Sequence, residues 1–239
     1  IEEVAQLQYD FNIMAKHIDY LINDVLMKEI KIREFKYKVL QQQINPHFLY
    51  NTLDTIHWMA QDYNCDKISH MVRSLSSMFR AALDLEDIVS LKEEIRILKD
   101  YITIQKIRFE ERLDFKMDID DEYLGFMIPK LTLQPIVENS INYCLEKYEG
   151  VCHIRVLCQR KENWVEISIS DNGPGMDEEF VKKLLSGQSK PKRSGIGLKN
   201  IDERLKLFYG DDYGITIKSS RGEGTTVIIR IPTSEEVSA

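Results

Sequence analysis

The chain has 239 residues, 43% of them hydrophobic and 30% charged, with only 11 Gly and 6 Pro. That balance belongs to a folded, helix-rich chain with room for two domains, and it excludes bulk disorder or a collagen-like repeat. The 32 Lys and Arg against 39 Asp and Glu give a net charge of −7, which argues against a nucleic-acid partner held by phosphate neutralisation; a local basic patch stays compatible with it.

Apolar residues first fall at Val4, Leu7, Phe11, Met14, Ile18, Leu21 and Val25, then at Ile32, Phe35 and Val39. Alternating steps of three and four, broken at Lys28, predict a coiled coil and with it a homodimer. One long amphipathic helix packed on its own globular partner is the other reading. Pro46 interrupts the pattern, which resumes at Phe48, Leu49, Leu53 and Ile56 and so predicts a kinked helix. Helices follow over 65–83 and 90–112, the second opened by a capping box of Ser90 and Glu93. After Arg112 the pattern changes. Residues 113–120 alternate as a strand, 129–146 read as a helix, and 151–159 and 164–170 as strands. A Gly-rich loop and a loose stretch to Ser194 lead to a helix over 198–209 and strands over 215–219 and 225–231. The fold class is therefore α+β, with an all-helical amino half and a mixed carboxyl half divided between Arg112 and Asp114.

Cys65, Cys144, Cys152 and Cys158 show no C-x-x-C spacing and are too few for a disulfide scaffold, so they read as thiols of a reducing compartment. No apolar run reaches the ~18 residues of a membrane span. Ile1 is not Met and already lies in a helical pattern, so the start reads as a cut within a longer protein whose upstream part could include a membrane segment.

Three segments carry candidate chemistry. In Glu138-Asn139-Ser140-Ile141-Asn142-Tyr143, polar groups interrupt an apolar helix; an Asn amide oxygen suits Mg²⁺ shared with phosphates and waters, whereas polar helix faces are also simply solvated. In Asp171-Asn172-Gly173-Pro174-Gly175, a carboxylate at a strand end can accept from an exocyclic amino group while glycines allow close backbone approach. A plain β-turn is the alternative. Ser194-Gly195-Ile196-Gly197-Leu198 leads into a helix whose free N–H groups favour an anion, and Lys190, Lys192 and Arg193 before it suit a lid. The Walker and dinucleotide spacings are both absent.

In this order the three segments resemble the GHKL superfamily of ATP-binding domains, with Gly222-Glu223-Gly224-Thr225 similar to its last strand. Gln42-Gln43-Ile44-Asn45-Pro46-His47-Phe48-Leu49-Tyr50-Asn51 closely resembles the phosphoacceptor motif of LytS/YesM-like sensor histidine kinases. Leu91-Lys92-Glu93-Glu94 through Tyr101, Gln105, Arg108 and Phe109 is similar to that family as well, and residues 3–14 resemble the end of a HAMP linker. The resemblance implies a HAMP end and signalling coiled coil over 1–35, a helical dimerisation and phosphoacceptor domain over 36–112, and a GHKL (Bergerat) α/β sandwich binding ATP over 113–239.

His17, His57, His70 and His153 read as structural or exposed, since functional histidines need specific partners. His47 follows Pro46, and Asn51 shares its helical face four residues on. By resemblance, His47 attacks the γ-phosphoryl of ATP and passes the group to a response regulator receiver domain. Asn51 would orient water for regulator dephosphorylation, and Glu138 would polarise His47 or a metal-bound water. Asn139 would ligate Mg²⁺, with Asn142 and Tyr143 beside it. Asp171 would bind the adenine amino group, backed by Thr225, with Gly173, Gly175, Lys192, Gly195, Gly197 and Leu198 shaping pocket and lid. The chain departs from the family where Tyr143-Cys144 replaces His-Gly, and where Phe48 follows His47 in place of an acidic residue. An ATP-binding dimeric scaffold with weak catalysis and an ATPase that phosphorylates nothing are the alternatives.

Overall fold

The computed structural model describes residues 46–84, 86–147, 149–186 and 195–233. The expected coiled coil, the HAMP-like segment and the basic cluster Lys190, Lys192 and Arg193 lie outside the described residues. The chain divides into two compact units after Asn51. Only 46–51 of the first are described; the second begins at Thr52.

Two helices come first, α1 (Pro46–Asp62) and α2 (Asp66–Leu83). The apolar side of α2 is only partly covered: Ile68 and Phe79 are exposed, and the buried residues are the small Ser69, Ser74, Ser76 and Ala81. A short strand β1 (Ile88–Ser90) then runs into α3 (Leu91–Phe109). Half of the expected capping box forms. Ser90 Oγ accepts from Glu93 N at 3.3 Å, but the Glu93 carboxylate turns to the Arg96 guanidinium at 2.6 and 2.9 Å, a charge-assisted fork stronger than the return bond to a neutral amide.

The second unit is a helical layer on a five-stranded sheet. Its elements are β2 (Leu113–Asp118), β3 (Met127–Pro129), α4 (Leu133–Lys147), β4 (Cys152–Arg160), β5 (Trp164–Asp171), α5 (Glu178–Ser186), α6 (Gly195–Tyr209), β6 (Gly214–Ser220) and β7 (Gly224–Pro232). The sheet order is β2-β4-β5-β7-β6, parallel at β2–β4 and antiparallel elsewhere. Period-two patterning sets its faces. Ile154 and Val156 of β4, Ile167 and Ile169 of β5, and Val227 and Ile229 of β7 are buried, while His153, Arg155 and Gln159 point to solvent. The apolar face packs on α4 through Ile136, Val137 and Ile141 and on α6 through Leu198, Ile201 and Leu205.

Three expectations are corrected. The helix predicted from Pro129 begins at Leu133, because Pro129 pairs with Ile88 in a small β1–β3 ladder and Leu131 adopts φ +57°. The stretch read as loose before Ser194 contains α5. The helix predicted from Leu198 starts at Gly195, so Gly195 and Gly197 occupy its first turn.

Candidate functional site

The sheet places the candidate residues. β5 ends at Asp171, directly opposite Thr225 on β7. Asp171 Oδ1 accepts from Gly173 N at 2.9 Å and Thr225 N at 3.2 Å, and the carboxyl also bonds the Ser140 side chain of α4. Burial pushes its carboxyl above the usual range, against the pull of these three hydrogen bonds. A carboxylate has about four lone-pair sites, so acceptor capacity remains for a ligand amino group.

The loop after Asp171 nests against the β6–β7 turn. Gly175 has φ +65°, and a Cβ there would lie 1.8 Å from the Ser220 carbonyl oxygen; at Gly224, with φ +86°, it would lie 1.9 Å from the Asp171 oxygen. Only glycine permits both approaches. Ser219 Oγ joins the strands by accepting from Met176 N at 2.8 Å, donating to Gly224 O at 2.9 Å and meeting Thr225 Oγ1 at 2.9 Å. Asn172 anchors the other side, accepting from His153 N at 2.8 Å and donating to Val151 O at 3.0 Å.

These elements surround a cavity of about 450 Å³. α4 contributes Ile136, Asn139, Ser140 and Tyr143; the loop after β5 contributes Gly175 and Met176; α6 and β7 supply Leu198, Thr225 and Val227, with Asp171 also lining the wall. Asp177 and Arg221, which form an ion pair, line it too. Six residues expected from sequence thus meet in one cavity: Asn139, Tyr143, Asp171, Gly175, Leu198 and Thr225. Gly173 sits behind it, bonded to Asp171. Asn142 and Glu138 are exposed on α4, outside the lining. Gly197 lies in the first turn of α6, and a Cβ there would meet nothing within 4 Å among the described residues. At the Tyr143-Cys144 departure, Tyr143 lines the cavity while Cys144 is fully buried, its thiol donating to Asn172 Oδ1 at 3.3 Å.

In the first unit, His47 is exposed, and the Asn51 amide nitrogen lies 3.3 Å from its Nδ1 and 3.5 Å from its Nε2. The Asn51 amide is thus within hydrogen-bond reach of the His47 ring from one turn along the same helical face. Among the other described histidines, His57 Nδ1 meets Ser69 Oγ at 2.9 Å and His153 Nδ1 meets Asp114 at 2.9 Å, both structural contacts.

Sequence reasoning missed Ser140 and Ser219. Ser140 is a small polar residue one position past Asn139 in an apolar helix and was visible for that reason. Ser219 carries no local signal, since its role depends on lying opposite Thr225 across the β6–β7 register.

Two family models match the chain: histidine kinase over residues 35–113, and the histidine kinase-, DNA gyrase B- and HSP90-like ATPase over 129–235. The sensor histidine kinase YesM of Bacillus subtilis is 44% identical over 237 residues, which is 99% of this chain and 40% of YesM. The sensor protein LytS of Bacillus cereus is 32% identical over 206 residues, 84% of this chain and 34% of LytS. YwpD of Bacillus subtilis is 32% identical over 239 residues, 98% of this chain and 82% of its own length. The chain therefore spans about two fifths of YesM and a third of LytS. With a histidine kinase segment followed by a GHKL ATPase fold, and with these identities along its length, the chain belongs to the sensor histidine kinase family.

Proposed function

We propose that the chain is the cytoplasmic, catalytic portion of a bacterial membrane sensor kinase, which phosphorylates its own His47 from MgATP and passes the phosphoryl group to an aspartate of a response regulator receiver domain. One observation carries the reading: a single cavity joins apolar walls from Ile136, Met176, Leu198 and Val227 to the half-buried carboxylate of Asp171 and to the amide of Asn139, while the other lining carboxylate, Asp177, is paired with Arg221. Apolar walls with a carboxylate at the end of a strand suit a purine bearing an exocyclic amino group. An amide oxygen suits Mg²⁺, which keeps most of its ligands as water and phosphate oxygen. Bound MgATP supplies the electrophilic γ-phosphorus with part of its charge neutralised.

The protein's own groups then divide the work. Asp171 accepts from the adenine amino group with Thr225 behind it, and Gly173 and Gly175 let the backbone close on the ring. Asn139 holds the metal. Asn142, Tyr143, Gly195, Gly197 and Leu198 serve the phosphate side, with Lys192 in the lid. One ring nitrogen of His47 bonds to the γ-phosphorus as the bond to the β,γ-bridging oxygen breaks, leaving ADP. The proton on the other ring nitrogen passes to Glu138, and Asn51 orients water when the regulator is dephosphorylated.

Residues 36–112 act as the dimerisation and phosphoacceptor domain and 113–239 as the ATP-binding domain; the matched spans 35–113 and 129–235 support this division. A homodimer is supported by the apolar surface of α1 and α2, where Trp58 is 63% exposed and Ile56, Met59, Ile68 and Phe79 are exposed as well. Membrane attachment through an upstream segment of the parent protein is supported by the chain spanning only 40% of YesM. Nucleic acid plays no part.

Incubation with γ-labelled ATP tests the chemistry. Acid-labile label is expected on the parent chain and none on His47→Gln. Label retained by His47→Gln, or none on a parent chain that demonstrably binds nucleotide, would overturn it.

A further inference from the structure

Glu94, on α3, is 1% exposed, yet it carries a carboxylate. Its oxygens accept from the backbone nitrogens of Leu131, Thr132 at 2.9 Å and Leu133 at 2.9 Å. Leu133 opens α4 and Thr132 precedes it, so the carboxylate satisfies N–H groups at and just before the start of that helix. Leu131 is held at φ +57°, a conformation that leucine adopts only when its surroundings impose it. Its N–H is bonded by Glu94 and its carbonyl oxygen by Arg204 Nη2 at 3.1 Å. The same Arg204 nitrogen donates to Thr132 Oγ1 at 3.2 Å. Arg204 belongs to α6, and one turn on Tyr209 donates to the Met127 carbonyl oxygen of β3.

α4 and α6 are two walls of the nucleotide cavity: Ile136, Asn139 and Tyr143 lie on the first, Leu198 on the second. Both are anchored at 131–132, the one from Glu94 and the other from Arg204. We propose that Glu94 is a positioning residue for the nucleotide site: its carboxylate, seated on the N–H groups of 131–133, sets the start of α4 and, with Arg204, the spacing of α4 from α6. This inference rests on the reading of the cavity as an ATP site. Glu94 lies within the span matched by the histidine kinase model and outside that matched by the ATPase model, yet in the same compact unit as the sheet, so a residue beyond the matched ATPase span sets the nucleotide affinity.

Glu94→Gln tests it. The amide keeps the shape but brings one N–H₂ group against backbone donors. At a temperature where the variant is fully folded by circular dichroism, its Kd for a fluorescent ATP analogue should rise about tenfold. In autophosphorylation, KM for ATP should rise to match while kcat stays within about threefold, since the clamp touches no group that moves a proton or phosphoryl. Amide exchange at 131–133 should quicken. A folded Glu94→Gln with parental Kd and KM would overturn the proposal, because a purely structural residue lowers the melting temperature without moving either. Should Glu94→Gln fail to fold, Arg204→Lys keeps the three carboxylate bonds and removes only the planar donor to 131–132; a Kd about threefold higher is expected, and an unchanged Kd overturns the clamp. A parent chain that binds no nucleotide would overturn the ATP-site reading itself, whereas parental binding equalled by both variants would overturn the clamp alone.

Discussion

Asp171→Asn separates the recognition role of the carboxylate from its structural one. The amide oxygen of Asn can take over both bonds that Oδ1 accepts, from Gly173 N at 2.9 Å and from Thr225 N at 3.2 Å. The second oxygen, however, becomes an N–H₂ group, so a donor replaces the acceptor that the adenine amino group needs. A hydrogen bond to a charged group contributes about 1.5–3 kcal/mol, and each ~1.4 kcal/mol is tenfold in affinity; nucleotide binding should therefore weaken about 10- to 100-fold. Ligand-free stability should move the other way. Burial already disfavours the charged carboxyl, and a neutral amide of the same shape escapes that cost. Isothermal titration with a non-hydrolysable ATP analogue, paired with thermal melting of the ligand-free protein, reads both quantities. Affinity within threefold of the parent would refute the adenine contact. A ligand-free melting temperature lower by more than about 5 °C, roughly 1–3 kcal/mol at this size, would show that Asp171 is chiefly structural.

The same carboxyl gives a pH signature. Its folded value is raised above the ordinary 3.8, so its contribution to ligand-free stability is full below that value and is lost as pH rises through the folded value. Adenine needs the charged form, so the affinity gap between parent and Asp171→Asn should shrink as pH falls through the folded value, and a gap that stays constant down to the ordinary 3.8 would contradict this. Gly175→Ala puts a Cβ 1.8 Å from the Ser220 oxygen at φ +65°. A left-handed alanine costs ~1–2 kcal/mol and overpacking ~1–3 kcal/mol, so melting should fall by on the order of 10 °C. Gly197→Ala meets no atom within 4 Å among the described residues, so its ligand-free melting temperature should not fall; a drop would show a packing role there.

What was legible in the sequence was what chemistry writes locally. Asn139, Asp171 and Thr225 stand out because polar residues interrupt apolar periodicity or follow a strand beside glycine, and the structure brings them to one cavity. Strands 113–118, 152–160, 164–171 and 224–232 were visible for a related reason, since one buried face forces alternation. What escaped depends on partners far along the chain. The 133–147 helix starts four residues later than expected because Glu94, some forty positions earlier, supplies its cap and β1 claims Pro129 as a strand partner. α5 did carry a local signal, with Phe180, Val181, Leu184 and Leu185 at helical spacing after the acidic Glu178 and Glu179, but it is only nine residues long and the Gly, Ser, Pro and Lys that follow masked it as loop. The contacts of Ser219 exist only once two strands have found their register.

The single parallel pair in the sheet bears on how this fold can be divided. β2 lies beside β4 in parallel register from Leu113–Cys152 to Asp118–Leu157, and the chain between them is the crossover through α4. Without β2, the β4 strand would become the sheet's edge, with Ile154 and Val156 beside an unpaired row of N–H and C=O groups. Such a row is a template for pairing with other chains. A fragment cut at residue 129, where the ATPase family match begins, would keep every residue that lines the nucleotide cavity and still be prone to aggregate. Its soluble boundary lies upstream of Leu113, so the strand that never approaches ATP decides whether the ATP-binding fold stands alone.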